Sequence, residues 1–157
     1  IIRAQTFQGM LDTALAFSTQ PLPVGNRVAI ITNAGGLGII AADAVENSGM
    51  KVAELDEAIA RDLKEKLPPA ASVGNHIDVL GDAPPERYAL AVEAAQQDPE
   101  VDAIILLFAP QAMTLPVETA REVHKRIDGS KPVLAAFMGG HAVLAGRDEL
   151  VASGLPD

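Results

Sequence analysis

Short continuous apolar runs alternate along this chain with longer stretches whose apolar positions recur at helical spacing. Val28 to Ile31, Val101 to Ala109 and Lys131 to Met138 are runs of the first kind, rich in Val, Ile and Leu, the pattern of strands covered on both faces. Lys51 to Leu55 predicts a shorter strand, and Ile77 to Leu80 is extended at most. Thr6 to Ser18 sets Phe7, Met10, Leu11, Ala14, Leu15 and Phe17 on one helical face, with Thr6 placed to cap it and Pro21 and Pro23 to end it. After Val28 to Ile31, Asn33 to Gly38 turn the chain and a helix continues through Ile39, Ile40, Ala41, Ala42, Ala44 and Val45, stopping at Gly49. Asp56 opens a charged helix closed by Pro68-Pro69, and Pro84-Pro85 begin another that Asp98-Pro99 closes. Val117 to Ile127 and His141 to Ser153 are the last two helices.

Strand and helix alternate throughout. The expected fold is therefore α/β: a three-layer, doubly wound parallel sheet of about five strands joined by right-handed crossovers. A length of 157 residues suits one domain, with residues 1–25 as a leading helix and linker and 26–157 as the α/β core. In such sheets ligands bind at the carboxyl ends of the strands, where the strand order reverses. That rule selects four loops: Thr32 to Gly38, Asn75 to Asp82, Ala109 to Thr114 and Met138 to His141.

Composition narrows the chemistry. Hydrophobic residues make up 48% and aromatics 3%, so the core is built from small and branched aliphatic side chains. The absence of cysteine removes disulfide and thiolate chemistry and fits a reducing, cytoplasmic setting. A net charge of −9 argues against nucleic acid as a partner, and no apolar run is long enough to cross a bilayer. The chain opens at Ile1-Ile2-Arg3 without Met and stops at Leu155-Pro156-Asp157, ends expected of a domain cut from a longer polypeptide.

The glycine-rich corner after Val28 to Ile31 gathers free amides at a helix start, which suits an anion, a phosphate or phosphoryl group above all. Two other readings stand beside it. Gly36-Leu37-Gly38-Ile39-Ile40-Ala41 fits G-x-G-x-x-A, with Glu54 placed to meet a ribose hydroxyl, the pattern of a nicotinamide-dinucleotide oxidoreductase domain. The third is a tight turn that merely packs its helix on the sheet. Of the histidines, His124 sits among charges on a helix, whereas His76 and His141 fall in loops at the site end. Neither has a second ligand at metal spacing, and no nucleophile elbow or Walker lysine is present. No catalytic residue is identified in the chain.

Taken together, TNAGGLGIIAADAVENSGMKVAEL, LPPAASVGNHIDVLGDAPPERYALAV, VDAIILLFAPQAMT and KPVLAAFMGG resemble the flavodoxin-like ligase domain of NDP-forming acyl-CoA synthetases, the ADP-forming acetyl-CoA synthetases and relatives of succinyl-CoA synthetase. The resemblance spans nearly the whole chain, and Thr32-Asn33-Ala34-Gly35-Gly36 is its most specific part. It implies a flavodoxin-like fold and an acid–thiol ligase that works through an acyl phosphate and a phosphohistidine. The full-length protein would use CoA, ATP/ADP and Mg. Its partners would be the phosphohistidine-bearing and CoA-binding domains of the same enzyme and an ATP-grasp domain or subunit, while this domain alone would bind no cofactor and be inactive.

By the same resemblance, the segments that approach the phosphoryl group are Asn33, Ala34, Gly35 and Gly36, together with Pro110, Gln111, Ala112, Met113 and Thr114, which match the helix following the penultimate strand in succinyl-CoA synthetase. Asn75, His76 and Asp78 form the rim, with His76 standing where family members commonly have proline. Gly140-His141-Ala142 echoes a phosphohistidine loop but lacks its glycine-rich continuation, so His141 is expected to begin a helix. The same architecture also occurs fused to a protein acetyltransferase, where the synthetase portion is regulatory; this alternative stays open.

Overall fold

The computed structural model describes residues 3–74 and 76–157. After α1 (Phe7–Thr19), the elements run β1 (Arg27–Thr32), α2 (Gly35–Asn47), β2 (Lys51–Val52), α3 (Glu57–Lys66), β3 (Ser72–Val73), β4 (Ile77–Asp78), α4 (Pro85–Gln97), β5 (Ala103–Phe108), α5 (Pro116–His124), β6 (Val133–Phe137), a 3₁₀ turn (Gly140–Val143) and α6 (Leu144–Ala152). The sheet order is β3-β4-β1-β5-β6, with β2 beside β1. All pairings are parallel except that of β3 with β4.

Alternation along the strands sorts the core into two layers. Ala29, Ile31, Ile104, Leu106, Phe108, Val133 and Phe137 pack on one side with Leu63 of α3, Tyr88 and Val92 of α4, Val123 of α5 and Leu150 of α6. Val28, Ile30 and Leu107 pack on the other, beneath Leu37, Ala41 and Val45 of α2. Helices thus cover both faces of a flavodoxin-like sheet.

One edge of β1 is shared by two short strands. β2 pairs with its first half, Arg27 and Val28, and β4 with its second half, Ile31 and Thr32. The strand expected over Lys51 to Leu55 therefore ends at Val52. Its continuation is drawn off the sheet because the buried Asp98 carboxylate accepts from the Asp56 amide at 2.8 Å, and Asp56 caps α3. The vacated half-edge is where Ile77-Asp78 enters, and the unforeseen β3 then adds antiparallel.

Two further expectations are corrected. The glycine-rich segment is no extended turn: α2 begins at Gly35, so Gly35, Gly36 and Gly38 lie inside its first turns with right-handed geometry. α1 forms with its Thr6 cap, yet none of its residues is buried. It is tied down by Gln20, whose side chain donates to Gly154 O at 2.8 Å and accepts from Val133 N at 2.9 Å. That bond also covers the outer edge of β6, as do Pro156 O at Ala135 N and Asp157 at Phe137 N. An otherwise open edge strand is thereby closed by the chain itself. No described helix is long and apolar enough to cross a membrane.

Candidate functional site

The chain leaves β1 toward β2 and β4 on one side, then crosses to β5 on the other, so the order reverses between β1 and β5. The loops after these two strands are bolted together at that point. Asn33, 3% exposed, donates from Nδ2 to Ala109 O and accepts from Ala109 N at Oδ1, both at 2.8 Å. The amide side chain acts as an extra rung beyond the last backbone pair of the sheet. Thr32, fully buried, fixes the next residue by accepting from Ala34 N at 3.0 Å and donating to Ala34 O at 3.1 Å. The chain is thus aimed into α2 at Gly35.

The other rim loops meet this bridge. A Cβ added to Gly81 would lie 3.8 Å from both Asn33 O and the Gln111 side chain, and one on Gly139 would run into the Pro110 ring. Thr114 closes the loop after β5: its hydroxyl accepts from Gln111 N at 2.8 Å and donates to Gln111 O at 3.0 Å, while its own amide donates to Gln111 O at 3.1 Å. Gln111, Ala112 and Met113 stand exposed on this closed turn, with Thr114 buried and Pro110 half-buried. The helix expected over Val117 to Ile127 runs from Pro116 to His124, and Pro116 has no amide to offer at its start.

The start of α2 is different. Among the described residues no side chain caps it, and its first turn has no acid. Leu37 N and Gly38 N turn back to Ala34 O at 2.9 and 3.2 Å, which leaves the amides of Gly35 and Gly36 as the orphan donors of the helix start. Gly36 is exposed, and a Cβ there would meet nothing within 4 Å. The rim therefore presents an open pair of amides and the positive end of a helix dipole.

Asp78 ends β4 opposite Thr32 and is half-buried beside this corner. Its Oδ1 accepts from Leu80 N at 2.9 Å, and Leu80 takes a left-handed φ of 72° to make the turn. Below the rim, Tyr88 is fully buried and donates to Leu107 O at 3.1 Å. Burial pushes its phenol up, and the Asp78 charge acts in the same direction. His76 lies against α2: a Cβ on Gly38 would lie 2.6 Å from its ring. His141 and His124 are exposed, His141 in the 3₁₀ turn that leads into α6. Asn75 lies outside the described residues.

Of the residues singled out in the sequence, Asn33 to Gly36, Pro110 to Thr114 and Asp78 lie on this rim, whereas His76, expected there too, precedes β4 and rests along α2 at Gly38. The Asn33–Ala109 bridge and the phenol of Tyr88 gave no local signal, because each depends on a partner distant in sequence; the turn at Leu80, held by Asp78 two residues before it, is local and was missed. The placement of Gly36 and Gly38 inside α2 removes the turn on which a dinucleotide fingerprint depends, and Glu54 is exposed beyond the end of β2. Among the described residues no group of three His, Cys, Asp or Glu side chains is placed to hold a metal ion.

Comparison with known proteins adds to this geometry. A family model described as Ligase-CoA domain matches residues 28–155. The chain is 40% identical over 161 residues to the alpha subunit of acetate–CoA ligase [ADP-forming] II from Pyrococcus furiosus, covering 99% of this chain and 35% of that one. It is 38% identical to acetate–CoA ligase [ADP-forming] from Methanocaldococcus jannaschii, covering 99% of this chain and 23% of that protein. A solved structure of a dinucleotide forming acetyl-coenzyme A synthetase 1 from Ca. Korarchaeum cryptofilum, in complex with phosphate and ADP, superposes with a TM-score of 0.91 at 30% identity, over 99% of this chain and 34% of that one. The chain thus spans about a third or less of these relatives.

Proposed function

Because the chain belongs to the Ligase-CoA domain family, we propose that it is one domain of an ADP-forming acyl-CoA ligase of the acetate type, and that its strand-end rim receives the phosphoryl group carried by a histidine of another domain. The observation that carries this reading is the pairing of an uncapped helix start at Gly35-Gly36 with the neighbouring Pro110–Thr114 turn, the two held in register by Asn33. Orphan amides and an aligned helix dipole stabilise phosphoryl charge without a side-chain acid or base. In this reading the rim contributes electrostatics and position. The nucleophilic histidine, the CoA site and the nucleotide–Mg site belong to the other domains and the ATP-grasp partner, whose chemistry the side chains of this domain do not supply.

The test is Gly36→Val in the full-length enzyme, because a side chain there has free space and screens the amides without disturbing the core. Phosphohistidine formation from ATP should slow on the order of 10²-fold, with CoA affinity and thermal stability near the parent's. A variant that phosphorylates at the parental rate overturns the proposal.

A further inference from the structure

Helices cover the two faces of the sheet unequally. Among the described residues, α3 to α6 press on one face, while only α2 packs on the other, over β1 and Leu107 of β5. Beside α2 that second face lies open. An apolar groove of about 500 Å³ runs there between α1 and the first halves of β5 and β6, lined by Ile105 and Leu134 on the sheet and by Ala16 and Phe17 on α1. Leu134 stands next to Ile105 in the sheet and is 41% exposed, and Phe17 is 55% exposed. A parallel sheet is ordinarily covered on both faces, and an apolar hollow of this kind marks a surface that another element fills. The groove lies at the start of the strands, away from the strand-end rim, so it does not depend on the phosphoryl reading.

We infer that this groove is the docking site of an amphipathic helix supplied by the full-length polypeptide outside residues 1–157. A helix about 10 Å across spans two strands set about 4.8 Å apart, which is the width left open over β5 and β6. A strand would not do. The outward amides of β6 are already taken, Val133 N by Gln20, Ala135 N by Pro156 O and Phe137 N by Asp157. An inserted strand therefore finds no donors there, whereas a helix brings its own hydrogen bonds. Charge fits the same guest: Asp12 stands at the groove with its carboxylate bonded to Gln8 alone among the described residues, which favours a Lys or Arg on the polar side of the helix. The chain spans 35% and 23% of two relatives that match nearly all of it, so such proteins have ample further length to supply the helix. A tethered helix also arrives at high effective concentration. A second copy fits less well, because it carries the same net charge of −9 and a two-fold contact sets hollow against hollow.

The experiment is site-specific photocrosslinking in the full-length protein, with Leu134→benzoylphenylalanine and Phe17→benzoylphenylalanine as groove probes and Glu65→benzoylphenylalanine, on exposed α3, as control. Both groove positions are partly exposed, so each admits the larger ring, and if one variant does not fold the other carries the comparison. Mixing heavy-isotope and ordinary copies separates crosslinks within one polypeptide from those between two. Both groove probes should capture one peptide outside residues 1–157, within the same polypeptide, whose apolar positions recur at helical spacing. The control should lose that crosslink. Capture of a second copy, capture confined to residues 1–157, no capture at all, or a captured segment without that apolar stripe overturns the inference.

Discussion

Asn33 and Ala109 exchange two hydrogen bonds of 2.8 Å across the point where the strand order reverses, so one buried side chain ties together the two loops that frame the site. Removing it leaves the Ala109 amide and carbonyl without their partners in a largely buried place. Asn33→Ala is expected to destabilise the chain by about 1–3 kcal/mol. Asn33→Asp is expected to be at least as damaging, because a carboxylate oxygen would then face the Ala109 carbonyl. Urea unfolding of both variants checks this. Parental stability in Asn33→Ala would mean that the bridge contributes nothing.

At the opposite end of the sheet, Asp102 is buried and accepts from the Arg27 side chain and backbone amide at 2.9 Å each. The Arg27 side chain, and then its amide, hold the Asp102 carboxyl down at about 2. A carboxyl whose folded pKa lies below its unfolded value, near 3.9, contributes stability that is present above that value. The contribution disappears as pH falls toward 2. Asp102→Asn should therefore be less stable than the parent at pH 6, and the gap should narrow between about pH 4 and pH 2. Asp82, Asp128 and Glu149 are lowered as well and make the parent acid-labile in their own right. The difference between the two chains isolates Asp102, and a gap independent of pH would sink the assignment.

Thr119 on α5 is fully buried, and its hydroxyl has no hydrogen-bond partner among the described residues. A buried hydroxyl without a partner has been desolvated for no return. Thr119→Val, nearly the same shape, should leave stability unchanged or raise it by up to about 1–2 kcal/mol. Thr119→Ser should not, since it keeps the hydroxyl and loses the methyl. Thermal unfolding of the pair decides the point: a Val variant clearly less stable than the parent would show that the hydroxyl has a partner after all.

Alternation of apolar runs and helical stripes made the layering legible, because Val28 to Ile31 and most of Val101 to Ala109 are buried on both faces and their composition says so, whereas Lys131 to Met138 reads alike but leaves Leu134 and Met138 exposed. The division of the β1 edge was not legible. It follows from Asp98 drawing Asp56 off the sheet, a contact between residues 42 apart. The corner after β1 was legible as a place for an anion but not in its geometry. Glycines suggested a loop, whereas here they serve close approach to Asp78 and His76 within a helix. The rim around Asn33 could be listed by loop position alone, but its internal order depends on partners that only the folded sheet brings together.

The last consequence concerns that close approach. Gly38 is interior to α2, where Ala would ordinarily favour the helix by about 1 kcal/mol. The gain is blocked here, because the new Cβ would lie 2.6 Å from Cδ2 and 2.8 Å from Cγ of His76. The ring base cannot yield without swinging the whole side chain off α2 and disturbing the strand that starts at Ile77. Gly38→Ala is therefore expected to be neutral or destabilising in the parent. In a His76→Ala background the space is open, and the same substitution should stabilise by about 0.5–1 kcal/mol. A double-mutant cycle should return a coupling of at least about 0.5 kcal/mol between the two positions. If Gly38→Ala has the same effect in both backgrounds, the ring does not rest on α2 and His76 is free to face the rim instead.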